Sequence, residues 1–261
     1  MKASRSAGLL VLTGVLMASP VRAQEADLAK QTQNPVGDLI SIPLQNNFNG
    51  GFGEDDAVFY NLNIQPVYPA GLSEDWSLIN RAIIPILDAP APVDAGGLGD
   101  IQYQWYLTPA QPGAFVWGVG AVVQLPTATD AALGSDKWSV GPGVVGLSVS
   151  GPWVVGAVLN NIWSIAGNAD RSDVNQMLLQ VFVNYNLPSG LYLTSSPVIT
   201  SNWEAPSGQR WTVPVGGGVG KILRLGKLPL NTQLQFYYNL EAPDIGPDWQ
   251  TRFQVQFLFP K

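Results

Sequence analysis

The acidic side chains are the residues whose types and spacing come closest to a chemical site. An acidic run occupies residues 54–56, and Asp170, Asp173 and Asn175 form a second group. Carboxylate and amide oxygens bind Ca²⁺, and two carboxylates can act as acid and base in glycoside hydrolysis. Neither group has the spacing of a known calcium-binding loop, and spacing alone defines no catalytic pair. We therefore predict no metal site, no cofactor and no enzymatic activity.

Absent residue types exclude further chemistry. The sequence has no Cys and no His, which excludes disulfides, cysteine nucleophiles, the Ser-His pairing of hydrolases and most zinc sites. The glycine run at 216–220 lacks the lysine and the strand-to-helix setting of a phosphate loop, so we interpret it as strand backbone facing a close neighbour. The net charge of −6 has the wrong sign for binding phosphates and argues against a nucleic-acid partner.

The N-terminus has the features of an export signal. Lys2 and Arg5 precede an apolar run at residues 7–18, and Ala23 stands at the small-residue position of a cleavage site. The run is too short to cross the roughly 30 Å of bilayer hydrocarbon as a helix. We therefore predict a signal peptide over residues 1–23, cleaved after Ala23, and export to the outer membrane of a Gram-negative cell.

The rest of the sequence consists of segments of alternating residue type separated by Gly, Pro, Asp and Ser clusters, as in an antiparallel meander. Each segment is long enough for a tilted strand to cross a bilayer, and the even number fits bacterial single-chain barrels. The predicted strands are residues 39–48, 58–68, 76–87, 99–107, 114–125, 137–149, 153–165, 174–186, 191–204, 210–223, 230–241 and 249–259.

One face of these strands is apolar and the other is rich in amides. In the last predicted strand, Phe253 and Phe257 alternate with Gln254 and Gln256. A soluble sandwich has the same period, but its polar face would carry Lys and Glu, whereas this face carries few charges and only 12% of the whole sequence is charged. Because amides suit a confined aqueous lumen, we predict an all-β fold, a transmembrane antiparallel up-and-down β-barrel of about 12 strands over residues 39–261. The predicted lumen-lining residues are Arg81, Gln102, Gln104, Gln180, Lys221, Gln235, Arg252, Gln254 and Gln256.

The connections between the predicted strands alternate between two classes. Tight turns such as SGP follow the even-numbered strands, whereas longer acidic loops such as PTATDAALGSD follow the odd-numbered ones. This alternation is typical of outer-membrane barrels, in which the short turns and both termini are periplasmic. Tryptophans at predicted strand ends suit the membrane interface, or else the edge of a sandwich core. They are Trp76, Trp138, Trp153, Trp211 and Trp249.

Several segments resemble a known family. They include NPVGDLISIPLQNNFN, WGVGAVVQLPTATD, GQRWTVPVGGGVGKI, the ending DWQTRFQVQFLFPK, and the stretch from LNNIWSIAGNADRSD to SPVITSNWEA. They are similar to uncharacterised proteobacterial outer-membrane proteins labelled only as transporters, sometimes mislabelled neuromedin U, and akin to barrels linked with the meta pathway of phenol degradation. The resemblance covers nearly all of the chain after the signal peptide. It implies an outer-membrane β-barrel and carries over no substrate and no site residue.

The C-terminus departs from the usual ending of such barrels. Outer-membrane barrels typically finish on an aromatic residue, whereas Phe259 is followed here by Pro260 and Lys261. The barrel-insertion machinery, an expected partner, would therefore have to read Phe253, Phe257 and Phe259. The other expected partners are outer-membrane lipid and an unidentified small solute.

Two functions are compatible with this interpretation. The first is a passive channel or transporter for small molecules, hydrophobic or aromatic ones included; the second is a non-transporting structural or surface barrel with a packed interior. In a channel, acidic outer loops would favour cations at the mouth, and the basic residues Arg81, Lys221 and Arg252 would temper this inside. The alternative is that Arg81 and Arg252 pair with lumenal acids such as Asp100 or Glu241. Residues 24–38 would either plug the lumen or form a periplasmic tail.

Overall fold

The computed structural model describes residues 20–259. Most of the predicted signal peptide (1–23) falls on residues 1–19, which lie outside the described residues, as do residues 260–261. A helix, α1 (Pro20–Thr32), precedes the strands. The strand segments are β1 (Ile40–Phe52), β2 (Ala57–Ile64), β3 (Val67–Gly71), β4 (Trp76–Ala89), β5 (Ala95–Leu98), β6 (Ile101–Pro109), β7 (Phe115–Leu125), β8 (Lys137–Ser150), β9 (Trp153–Gly167), β10 (Asn175–Asn186), β11 (Leu191–Ser195), β12 (Val198–Asn202), β13 (Trp211–Leu225), β14 (Leu228–Glu241) and β15 (Trp249–Phe259).

Backbone pairing closes these segments into a barrel. Neighbouring strands pair antiparallel, and β15 returns to pair with β1, from Ile40 opposite Phe259 to Gly50 opposite Trp249. Three barrel strands are interrupted, because β2 continues as β3, β5 as β6 and β11 as β12, so the 15 segments form 12 barrel strands. Closure leaves no exposed sheet edge. The predicted fold class, an antiparallel barrel of about 12 strands, is confirmed.

Prolines lie in or opposite the three strand interruptions and at one of the register shifts. Pro66 separates β2 from β3, and Pro197 separates β11 from β12. The carbonyl oxygens of Pro43 and Pro85 each accept a hydrogen bond of 2.9 Å from a residue in an interruption of the neighbouring strand. Pro214 lies at a shift of the β13–β14 register. Since proline has no N–H to donate, these are the places where it disturbs the ladder least.

The outer face of the barrel is apolar. Leu234 and Phe236 of β14 are each 53% exposed, whereas the alternate residues Gln235 and Tyr237 are buried in the interior. This outward apolar surface is what contact with lipid requires. No helix within residues 20–259 has the length and apolarity needed to span a membrane.

Tryptophans mark both rims of the barrel. Trp76, Trp153, Trp211 and Trp249 are the first residues of β4, β9, β13 and β15, and Trp138 is the second residue of β8. Their predicted position at strand ends is confirmed. Amphipathic rings at these heights suit the two membrane–water interfaces.

The two ends of the barrel differ in their connections. The short-turn end, which also holds the first and last strand residues, has connections at 72–75, 110–114, 151–152, 187–190 and 226–227. The loop end has connections at 53–56, 90–94, 126–136, 168–174, 203–210 and 242–248. The first two loops are shorter than predicted, because β1 continues to Phe52 and β4 to Ala89. Gly51, with a φ of +76°, accommodates the register shift there.

The interior is apolar on one side. Val145 and Leu147 of β8 and Val154 and Val158 of β9 point inward and are 5% exposed or less. Both of these strands also carry apolar residues on the outer face, so their sequences show no contrast between faces. The cluster formed on this side comprises Val36, Ile79, Tyr106, Val116, Val145, Leu147, Val154, Val158 and Phe182.

Candidate functional site: the barrel lumen

Opposite the apolar side, the lumen contains a polar cavity of about 150 Å³, here called the inner cavity. Arg81 of β4 and Arg252 of β15 both line it, and they are its only charged lining residues among those the structure describes. The other lining side chains are mostly amides and hydroxyls. They include Ser41, Gln45, Gln65, Gln180, Asn184, Thr194, Ser196, Gln233, Gln254 and Gln256.

A chain of amide side chains connects the two arginines. Arg81 Nη2 donates to Gln65 Oε1, and Gln65 Nε2 donates to Gln45 Oε1 at 3.2 Å. Gln45 Nε2 then donates to Asn47 Oδ1 at 3.1 Å, which also accepts from Arg252 Nε at 3.2 Å. Gln65 can reach inward because it lies in the interruption between β2 and β3. The network therefore fixes both guanidinium groups through neutral oxygens.

The remaining contacts of Arg252 are also neutral. Its Nη1 donates to the Ser196 carbonyl at 3.1 Å, its Nη2 donates to Gln250 Oε1 at 2.9 Å, and its guanidinium carbon lies 5.1 Å from the centre of the Tyr237 ring. Among the described residues, no carboxylate lies within 4.0 Å of Arg81 or Arg252. The alternative that these arginines pair with lumenal acids is therefore wrong.

Asp100 and Glu241, the acids considered for that pairing, are placed elsewhere. Asp100 Oδ2 accepts hydrogen bonds of 2.7 Å from both the backbone N–H and the hydroxyl of Ser135. Glu241 is exposed at the loop end of β14. Asp100 thus holds the 126–136 loop, and neither acid neutralises the lumenal arginines.

Two more cavities continue the lumen toward the loop end. The outer cavity, of about 340 Å³, is lined by Gln102, Asn160, Gln176 and Arg210. A middle cavity of about 70 Å³ shares Thr212 with the outer cavity and Arg252 with the inner one. The middle cavity is therefore a neighbour of both others, and Arg252 lies between the inner and middle cavities.

The N-terminal segment closes the inner cavity toward the short-turn end. Residues 31–35 line the cavity, and Gln33 exchanges two hydrogen bonds of 2.9 and 3.0 Å with Asn186. Val36 is 4% exposed within the apolar cluster, and its Cγ1 lies 3.3 Å from where a Cβ would stand on Gly118. The segment thus extends from α1 to β7.

Helix α1 packs against strands β11 and β13 inside the barrel. Leu28, 7% exposed, and the fully buried Ala29 contact Tyr192 and Ile222, which are themselves buried. Arg224 donates to Gln24 Oε1 at 2.9 Å and lies 3.8 Å from Glu25 Oε1. These contacts anchor the start of the segment to β11 and β13.

Eight of the nine predicted lumen-lining residues lie on the inner face. Gln104 and Gln235 are buried there, 3% and 1% exposed. Gln102 lines the outer cavity. The inner cavity is lined by the remaining five: Arg81, Gln180, Arg252, Gln254 and Gln256.

Lys221 does not line the lumen, and that prediction is wrong. Its neighbour Ile222 is 1% exposed and packs inside the barrel with Tyr192 and Leu28, which places Lys221 on the outer face. Lys221 is exposed there, opposite Leu191 and Thr232. The glycines that precede it, 216–220, have no side chains to distinguish the two faces, so the sequence offered little basis for assigning this residue.

The glycine run on β13 is explained by close backbone approach. A Cβ on Gly220 would overlap the Tyr192 ring, and one on Gly218 would overlap the Leu234 carbonyl of β14. The run is therefore strand backbone against close neighbours, as predicted, and forms no phosphate loop.

The two acidic groups considered as metal sites lie at the loop end, one in the 53–56 loop and the other in the 168–174 loop beside the start of β10. Within residues 20–259, no cluster of three or more Asp or Glu residues is positioned to hold a metal ion. Asp173 accepts hydrogen bonds from Lys137 Nζ at 3.3 Å and Ser164 Oγ at 3.1 Å, and these bonds, the Lys137 bond first, lower the pKa of its carboxyl group. Arg171 donates to the carbonyls of Ala131 and Gly134, which joins the 168–174 and 126–136 loops.

Sequence reasoning missed part of the site. Gln45, Asn47 and Gln65 complete the polar network between the two arginines. The sequence did not indicate them, because the first two strands show little contrast in polarity between their two faces. For Gln65 the available signal was the adjacent Pro66, which marks the interruption between β2 and β3. The apolar cluster around Val36 had no signal in the strand periodicity.

The closed sheet, the apolar exterior and the polar cavity in the interior define the class: a transmembrane β-barrel of the outer-membrane type. No protein-family model and no curated protein sequence matches the chain. Among solved structures, it is similar to an outer membrane channel from Pseudomonas putida F1, with a TM-score of 0.62 and 17% identity over 87% of this chain and 97% of that one. The NanC porin has a TM-score of 0.55 and 9% identity over 84% of this chain and 100% of that one. At these identities, the likeness shows the fold alone.

Proposed function

We propose that the protein is a passive outer-membrane channel for small solutes, narrowed by its own N-terminal segment. The observation that carries this proposal is a set of three neighbouring cavities with polar lining inside a closed barrel, which share the lining residues Thr212 and Arg252. Polar side chains that line a lumen are the feature by which a barrel passes hydrophilic solutes. The similar structures named as a channel and a porin support the same function.

Export by a cleaved signal peptide over residues 1–23 belongs to this proposal, as does insertion by the barrel machinery. The exposed aromatic residues Phe253 and Phe259 of β15 give that machinery an apolar terminal strand to recognise. Outer-membrane lipid then surrounds the apolar exterior.

A non-transporting barrel is the second candidate. Its supporting observation is that Val36 and its neighbours fill one side of the lumen, while Leu28 and Ala29 close part of the short-turn end. In this case the cavities would hold only trapped water.

Ion conductance of the purified protein in planar bilayers distinguishes the two candidates. A channel gives discrete conductance steps, which are absent from a heat-denatured sample of the same preparation. We expect small steps, because residues 31–35 narrow the inner cavity. Absence of steps from a barrel whose migration on a gel is heat-modifiable would refute the channel and favour the packed barrel.

A further inference from the structure

Within residues 20–259, the charged residues that line the inner, middle and outer cavities are all basic. Arg210 lines the outer cavity, Arg252 lies at the junction of the middle and inner cavities, and Arg81 lines the inner one. No Asp or Glu among the described residues lines any of these three cavities, although the sequence contains 19 acids and 13 bases. The acids that approach a cavity line a separate pocket formed by the 126–136 loop: Asp100, Asp130 and Asp136.

Neither arginine of the inner cavity has a carboxylate of a described residue within 4.0 Å. Every hydrogen-bond acceptor of Arg81 and Arg252 is a neutral amide or carbonyl oxygen. Arg81 Nε is buried and has no hydrogen-bond partner. A buried cation without an anion is unfavourable, and an unused buried donor adds to that cost. An anion in the cavity would neutralise the buried charge and would accept a hydrogen bond from Arg81 Nε.

We propose that the inner cavity binds a small carboxylate or similar oxyanion between Arg81 and Arg252, and that this site makes the lumen select anions. The anion selectivity rests on the proposed channel function, whereas binding does not. Guanidinium groups bind carboxylates through paired N–H donors, and Arg81 Nε is free to donate. A cavity of about 150 Å³ accommodates an acetate-sized anion with water but excludes an oligosaccharide.

The acidic loops oppose this selectivity only at the mouth. Exposed loop charges are screened over about 3 Å in 1 M salt, whereas charges within the barrel are screened much less. Rings of basic side chains in a pore favour anions. The anion preference should therefore persist at high salt, where the influence of the loops is weakest.

Reversal potentials across a KCl gradient in the molar range test the selectivity. The wild-type protein should pass Cl⁻ in preference to K⁺. Arg81→Gln and Arg252→Gln should each reduce this preference, and Arg81→Lys, which keeps the charge, should retain most of it. Lys221→Gln is the matched control, because it removes a cation from the outer face and should leave the reversal potential unchanged. A preference for K⁺ in the wild type, or equal potentials in all variants, would overturn the proposal while leaving the channel intact.

Calorimetric titration of the folded, detergent-solubilised protein tests binding without conduction. Sodium acetate at constant ionic strength should give a saturable heat in the wild type, and acetamide, its neutral counterpart in shape, should give none. Arg81→Gln should lose the acetate signal, and Lys221→Gln should keep it. If the barrel does not conduct but binds acetate in this pattern, only the channel function fails. If acetate binds no better to the wild type than to Arg81→Gln, the anion site is refuted.

Discussion

Replacing Gln33 with Ala should release the N-terminal segment from the lumen. Gln33 and Asn186 are each 8% exposed and exchange two hydrogen bonds, of 2.9 and 3.0 Å. In Gln33→Ala, the Asn186 side chain keeps only its 3.0 Å bond to the Pro152 carbonyl. The substitution acts on the docking of the segment and leaves the strand pairing of the barrel intact.

The expected rise in the undocked population follows from the two hydrogen bonds between Gln33 and Asn186. A buried neutral hydrogen bond contributes about 1 kcal/mol net, so two contribute about 2 kcal/mol. Since 1.4 kcal/mol corresponds to a factor of ten, the undocked population should rise about 30-fold. Leu28 and Val36 remain packed in the variant, so the segment stays docked most of the time.

A single introduced cysteine reports the undocking. The sequence contains no Cys, and Ala29 is fully buried, so Ala29→Cys reacts with a maleimide only when the segment leaves its site. Gln33→Ala in this background should be labelled about 30-fold faster. Gln31→Ala, at an exposed position of the same segment, is the control and should change the rate little.

The double variant with Asn186→Ala completes the test. Gln33 and Asn186 make the same two hydrogen bonds with each other. The double variant should therefore lose little more docking free energy than either single variant, and its labelling rate should be similar. Equal labelling rates for wild type and Gln33→Ala, or fully additive effects, would refute the role of this pair.

Three further predictions concern the barrel and its loops. The purified protein should migrate faster on a gel before heating than after, because a closed barrel resists unfolding in detergent; recovery of all the protein in the soluble periplasmic fraction would contradict this. Gly220→Ala should reduce the yield of the heat-modifiable form because its Cβ overlaps Tyr192, whereas Gly71→Ala, which meets nothing within 4 Å, should not. Ionised Asp173 stabilises the 168–174 loop above the unfolded pKa, which is near 3.8, and this contribution is lost as the pH falls through the lower folded pKa. Pepsin cleavage of this loop, normalised to an unfolded substrate, should therefore rise at acid pH in the wild type and vary less in Asp173→Asn.

The strands and their faces could be predicted wherever apolar and polar residues alternate. In β15, Phe253 and Arg252 occupy opposite faces as expected, because each residue type suits only lipid or only the lumen. In β8 and β9 the alternation disappears, since the inward side packs against Val36 and is apolar as well. This contact joins residues distant in sequence, and no local pattern predicts it.

For the candidate site, the sequence predicts which residues face inward but not how they contact each other. The periodicity of β4 and β15 places Arg81 and Arg252 inside, but their relation to each other depends on the closure of the barrel and on the inward turn of Gln65. The absence of a nearby carboxylate likewise depends on where Asp100 points. Which residues contact Arg81 and Arg252 is determined by the tertiary structure, and the spacing of residues along the sequence does not show it.

Single-channel conductance of a variant that lacks residues 24–32 after the signal peptide tests the central claim most directly. These residues include Leu28 and Ala29, which anchor the segment, and two residues that line the inner cavity. With heat-modifiable migration as the check on folding, the account predicts larger conductance steps than those of the full-length protein. Unchanged steps, or none, from a correctly inserted barrel would contradict it.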